Sequence, residues 1–175
     1  MYFERADAST TKTTLLAATL LLVGCATNLY KYREYEIVPP RDVRPEVFVE
    51  NPELKKELRI LKHSKLFEIS EDPSVETHIE LHPLKEPGYC GMPALPALFT
   101  LGLIPGSGHT LSPYGFEYGI DGPQGKHRHS YVLPSTYRRI SLWEWFFKPF
   151  KNENCLLGRI LRTEAVKAAG EEHAG

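Results

Sequence analysis

"VETHIELHPL", residues 75–84, decides how this chain folds. Val75, Thr77, Ile79 and Leu81 fall on one side of an extended segment, and Glu76, His78, Glu80 and His82 on the other. Alternation with period two marks a strand with one face buried and one solvated. The pattern extends outward. "KLFEIS" (65–70) reads as a shorter strand before it. "YGFEYGI" (114–120), with Tyr114, Phe116, Tyr118 and Ile120 on one face, is expected to pair with "KHRHSYVL" (126–133) through the turn-rich "DGPQG" (121–125).

Two helices complete the pattern. In "ENPELKKELRILKHS" (50–64) Asn51 can cap, Pro52 suits the first helical position and Glu53 faces the positive end of the dipole. Leu54, Leu58 and Leu61 form its apolar stripe, while Lys55, Lys56 and Arg59 form a solvated face. "NCLLGRILRTEAVKAA" (154–169) has Asn154 as cap and a stripe of Leu157, Ile160, Leu161 and Ala165, with Arg159, Arg162 and Glu164 off it. With "YEIVPP" (35–40) as an opening strand, the order is β-α-β-β-β-β-α. Strands joined mostly by hairpins, with few helices to cover them, indicate an α+β domain with a mostly antiparallel sheet.

The N-terminus carries an address. "TTLLAATLLLVGCAT" (13–27) holds an apolar run of 11 residues, Thr13 to Val23. A bilayer-spanning helix needs about 20 apolar residues, whereas a secretory h-region needs roughly 7–15. Leu22-Val23-Gly24-Cys25 resembles a bacterial lipobox, which implies lipid attachment at Cys25 and cleavage just before it. Glu4 and Asp7 beside Arg5 and Lys12 depart from the usual basic leader. The expected division is a signal peptide over 1–24, a lipidated tether over 25–34, one domain over 35–167 and a flexible tail over 168–175.

Loss of residues 1–24 would remove two basic and two acidic residues and leave 151, with the formal charge still −1. That length suits one domain. A near-neutral chain lacks the electrostatic footprint of nucleic-acid binding. Cys90 and Cys155 would then face an oxidising compartment, where a bridge between them and two separate buried thiols are both open readings.

Two segments resist this scheme. The 30 residues between Glu86 and Glu117 contain no Asp, Glu, Lys or Arg, and their apolar centre over 90–106 is broken by Pro93, Pro96, Gly102 and Pro105. "SLWEWFFKPF" (141–150) predicts a short aromatic helix beside a lysine able to snorkel. Leu98, Phe99, Leu101, Leu103 and Ile104 in the first, with Trp143, Trp145, Phe146, Phe147 and Phe150 in the second, need a core, a partner or lipid to cover them.

Catalytic patterns are weak. His78 and His82 on one strand and His127 and His129 on another could approach a metal if those strands paired, but "HIELH" lacks the helical H-E-x-x-H spacing. "PGSGHT" (105–110) has neither the G-x-S-x-G nucleophile elbow nor the phosphate-loop ending. No cofactor and no enzymatic activity are expected.

Over roughly residues 60–165 the order of these features resembles a class of small uncharacterised Gram-negative lipoproteins. In that class a TLGLIP-like motif, here Thr100 to Pro105, precedes a hairpin, and an aromatic-Pro segment follows it. The resemblance implies an envelope location and no particular activity. Ala26 after the lipidated cysteine is compatible with sorting to the periplasmic face of the outer membrane. The expected role is a non-enzymatic structural or adaptor protein, held on the membrane by its acyl chains and contacting lipid, an envelope protein or a second copy of itself. The alternative is a metal- or ligand-binding lipoprotein using the four histidines.

Overall fold

The structure, a computed structural model, describes residues 26–88, 99–100, 103–109, 112–134, 136–141 and 143–172. Among these, the expected segment "VETHIELHPL" contributes β4 (His78–Leu81), the centre of a five-stranded sheet. Its neighbours are β2 (Glu46–Val49) and β6 (Tyr114–Gly122), and β3 (Glu68–Ser70) and β7 (Gly125–Leu133) close the edges. β2 runs parallel to both β3 and β4, and the remaining pairs are antiparallel. The fold is α+β.

The alternation holds over the shorter strand, with Val75 and Thr77 preceding β4 and Ile120 only partly buried. Ile79 and Leu81 of β4 and Tyr114, Phe116 and Tyr118 of β6 are all buried on one face. Against that face pack α1 (Lys55–Ser64) and α3 (Glu153–Glu172), through Ile60 and Leu61 of the first and Leu157, Ile160 and Leu161 of the second. The two helices meet at Gly158. A Cβ there would lie 2.6 Å from the carbonyl oxygen of Ile60 and 2.7 Å from the amide nitrogen of Ser64, so only a glycine permits this approach. The β6–β7 hairpin turns where expected, with Gly122 paired to Gly125 and Gly125 at φ +96°, a conformation open to glycine.

Four local expectations change. "YEIVPP" is not a strand: Pro39 and Pro40 carry no amide hydrogen to offer a ladder, and the strand before α1 is β2. Its backbone is held instead by α3. The Val38 amide donates to Thr163 Oγ1 at 3.1 Å, and Arg162 Nε donates to the Val38 carbonyl at 2.8 Å. Arg162, expected off the apolar stripe, is therefore buried; that burial lowers its pKa, while the carbonyls of Val38 and Ser64 satisfy its guanidinium. Asn51 does not cap α1. Its side chain both donates to and accepts from the backbone of Leu81, at 2.7 and 2.8 Å, extending the β2–β4 ladder by one side-chain rung. At α3 the cap is Asn152, whose Oδ1 accepts from Cys155 N at 3.1 Å, rather than Asn154.

Both chain ends also differ. Residues 26–31, expected as a tether, form β1 (Ala26–Lys31), which pairs antiparallel with β8 (Thr136–Ser141). With β5 (Gly106–His109) on the other side of β8, this makes a second sheet of order β1-β8-β5. Residues 168–172, expected as tail, continue α3 to Glu172. Arg138 of β8 ties the small sheet to the large one. Its guanidinium donates to Tyr114 Oη at 2.8 Å and to both carboxylate oxygens of Glu153 at 2.8 and 3.1 Å. Burial works against that cation, but Glu153 outweighs it and raises the Arg138 pKa.

Candidate functional site

The register of the small sheet brings distant segments together. Ala26 of β1 pairs with Ser141 of β8, and Gly106 of β5 pairs with Ile140. The first residue of β1, the first of β5 and the last of β8 thus lie at one end of the sheet. Beyond them stand the apolar Leu103-Ile104 and the aromatic segment. Residues separated by more than 100 positions in sequence meet at one edge of the molecule.

The aromatic segment turns back from that end over the sheet. It forms α2 (Glu144–Phe147) followed by a 3-10 turn, Lys148–Phe150. Its inward residue is Glu144, which is almost wholly buried. Asn28 Nδ2 donates to both the Glu144 carbonyl and its Oε2, each at 2.8 Å, and Tyr30 Oη donates to Oε2 at 2.6 Å. Burial, and then the bond to Glu144, push the Tyr30 phenol up to about 12. Lys151 Nζ stands 4.6 Å above the Tyr30 ring, and Tyr137 stacks on it at 5.7 Å. A buried carboxyl, an amide and a phenol therefore hook α2 onto β1.

The other side of α2 faces outward. Trp143, Trp145, Phe146 and Phe147 are 51–59% exposed and Phe150 is 84% exposed. Phe99, Leu103 and Ile104, the described part of the apolar segment's contact set, are also exposed. None of these exposed residues belongs to the buried core, whose members come mainly from the large sheet, α1 and α3. Burying five half-exposed or more exposed aromatics is worth on the order of 5 kcal/mol. Leu98, Leu101, Cys25 and Cys90 lie outside the described residues. Cys155 is half-buried in the first turn of α3 with a free thiol, and the choice between a bridge to Cys90 and two separate thiols turns on a residue outside them.

The histidine expectation is corrected by the sheet order. β6 separates β4 from β7, so the two histidine-bearing strands do not pair. The register also puts them on opposite faces. His78 lies opposite Asp121 and then Lys126 on the solvated face, whereas His129 lies opposite Tyr118 and then Leu81 on the core face. His129 stacks on Tyr118 at 5.3 Å, and His78 sits 3.3 Å from Glu50. Among the described residues no group of three or more His, Cys, Asp and Glu side chains is placed to hold a metal.

That solvated face is an ion-pair surface. Glu117 accepts from Lys85 and from Arg128 Nη2, the latter at 2.6 Å, and these two cations hold its carboxyl at about 2. Glu80 pairs with Lys126 at 3.2 Å.

Sequence reading missed three contributors. Asn28 and Tyr30 were hidden in a supposed tether, and Glu144 was passed over among the aromatics of its segment. The polar signal was present, as Asn-x-Tyr opposite a lone Glu among aromatics, but only the β1–β8 pairing shows that they meet. Among the described residues no helix is long and apolar enough to cross a membrane. No protein-family model matches the chain, and a search of curated proteins finds no match.

Proposed function

We propose that this chain is a lipid-anchored protein of the cell envelope, on the periplasmic face of the outer membrane, and that its open aromatic face docks on the bilayer to which Cys25 is attached. The observation that carries this reading is the convergence at one end of the small sheet. Residue 25 immediately precedes Ala26, and Asn28, three residues from Cys25, binds the aromatic helix. Three residues of extended chain span about 10 Å. The interfacial layer outside the hydrocarbon is itself roughly 5–7 Å deep on each side. An anchor at residue 25 would hold the aromatic helix at the depth where Trp, Phe and snorkelling Lys side chains are most at home.

Acyl chains on Cys25 would suffice for attachment, since two hydrophobic signals already anchor stably. The aromatic face would do something different. One attachment point leaves a domain free to pivot; a second contact beside it fixes the orientation. The role is structural rather than enzymatic. The buried carboxyls are engaged in holding the fold: Glu144 secures α2, and Glu57 Oε1 accepts from the Leu84 amide at 2.9 Å.

The full chain, reconstituted in vesicles with brominated acyl chains, tests this. The only two tryptophans, Trp143 and Trp145, both lie in the aromatic segment, so all indole fluorescence reports on it. Strong bromine quenching is expected, together with an intact mass for a chain that begins at an acylated Cys25. Unquenched tryptophans in a vesicle-bound chain would overturn docking, and a bare Cys25 would overturn the anchor.

A further inference from the structure

A basic cleft adjoins the aromatic face. Where the chain leaves the 3-10 turn, Pro149 and Lys151 face Lys55, Lys56 and Arg59 of α1 across an open cleft of about 590 Å³. The sequence pattern assigns those α1 residues to plain solvation. Their position against the exit of the aromatic segment gives them another use. The one acidic residue lining the cleft, Glu153, is taken by Arg138 from the side of the small sheet. Lys56 pairs with Glu86. Lys55 and Arg59 are exposed and have no ion-pair partner among the described residues, and Lys148 adds a further exposed cation on the segment itself. The chain as a whole carries a formal charge of −1, so this concentration of positive charge is local.

We infer that this cleft receives the phosphate headgroup of an anionic phospholipid, making the docking of the aromatic face selective for negatively charged membrane. The inference rests on the membrane-docking reading above and adds the lipid class. Pairing an apolar, aromatic surface with adjacent cations is the chemistry of an anionic bilayer interface: aromatics take the acyl boundary and cations the phosphates. A lysine or arginine held at an anionic surface strengthens association by about fivefold. The attraction acts within a Debye length of roughly 8–10 Å, so only cations beside the docked face contribute.

The test uses the full chain in vesicles of brominated phosphatidylcholine, alone or mixed with brominated phosphatidylglycerol. Quenching of Trp143 and Trp145 should be several-fold stronger in the anionic mixture. Lys55→Glu with Arg59→Glu should abolish that difference, whereas Lys126→Glu on the ion-pair face of the large sheet should preserve it. Equal quenching in both lipids would overturn the headgroup site and leave docking intact. A lipid difference that survives the α1 charge reversal would also overturn it. No quenching in either lipid would overturn the docking reading itself, and this inference with it.

Discussion

The large sheet and the small sheet handle apolar side chains in opposite ways. In the large one, alternating residues of β4 and β6 point at α1 and α3, and every large side chain on that face meets another, down to the Gly158 crossing. In the small one, the polar groups are satisfied inward, with Glu144 held by Asn28 and Tyr30, while Trp143, Trp145, Phe146, Phe147 and Phe150 point outward. A chain that closes one core so completely has the means to close another. The inversion around Glu144, polar inside and aromatic outside, is the observation on which the proposed docking rests.

Substitutions should separate the two regions. Phe116→Ala, in the closed core, should cost about 3–5 kcal/mol in denaturant unfolding. Gly158→Ala should cost about 3 kcal/mol, because its methyl would meet backbone atoms of α1 that cannot yield as a side chain would. Glu144→Ala should cost about 1–3 kcal/mol by leaving Asn28 and Tyr30 short of an acceptor, and should also weaken membrane docking. Phe146→Ser with Phe150→Ser should change the unfolding free energy by about 0.5 kcal/mol or less while removing most of the docking. If that double variant unfolds as readily as Phe116→Ala, the two regions do not differ as described.

The smallest effect concerns pH. Glu117 is held at about 2, below its ordinary value of 4.5, by hydrogen bonds from Lys85 and Arg128. A carboxyl with a depressed folded-state pKa contributes stability above its unfolded value and loses it as pH falls. The Glu117 contribution should therefore be full above about pH 4.5 and fade towards pH 2. Glu117→Gln should flatten that acid limb in thermal melts and leave the aromatic face unaltered.

Much of the large sheet was legible because period-two alternation over β4 and β6 is a local signal, and a one-residue slip would turn the buried set to solvent. The small sheet was not. β1 is "ATNLYK" (26–31), without clear alternation, and its partner lies more than 100 residues away. β5 is "GSGH" (106–109), whose composition reads as a turn. Asn51 and Asn154 show the limit at a finer scale: an Asn before a helix signals a cap, but whether its amide instead completes a strand depends on where Leu81 arrives. The site was half legible. The need to cover the aromatics followed from composition, whereas their gathering beside the start of β1, and the separation of the histidines by β6, depend on register.

Iodide quenching of Trp143 and Trp145 tests the central claim most directly, comparing the chain from residue 26 onward in buffer with the acylated full chain in anionic vesicles. The account predicts free access of iodide in buffer and strong protection once lipid is present. Tryptophans already shielded in buffer would contradict it, since they would be covered by the protein or by a second copy. Access unchanged by lipid would contradict it as well.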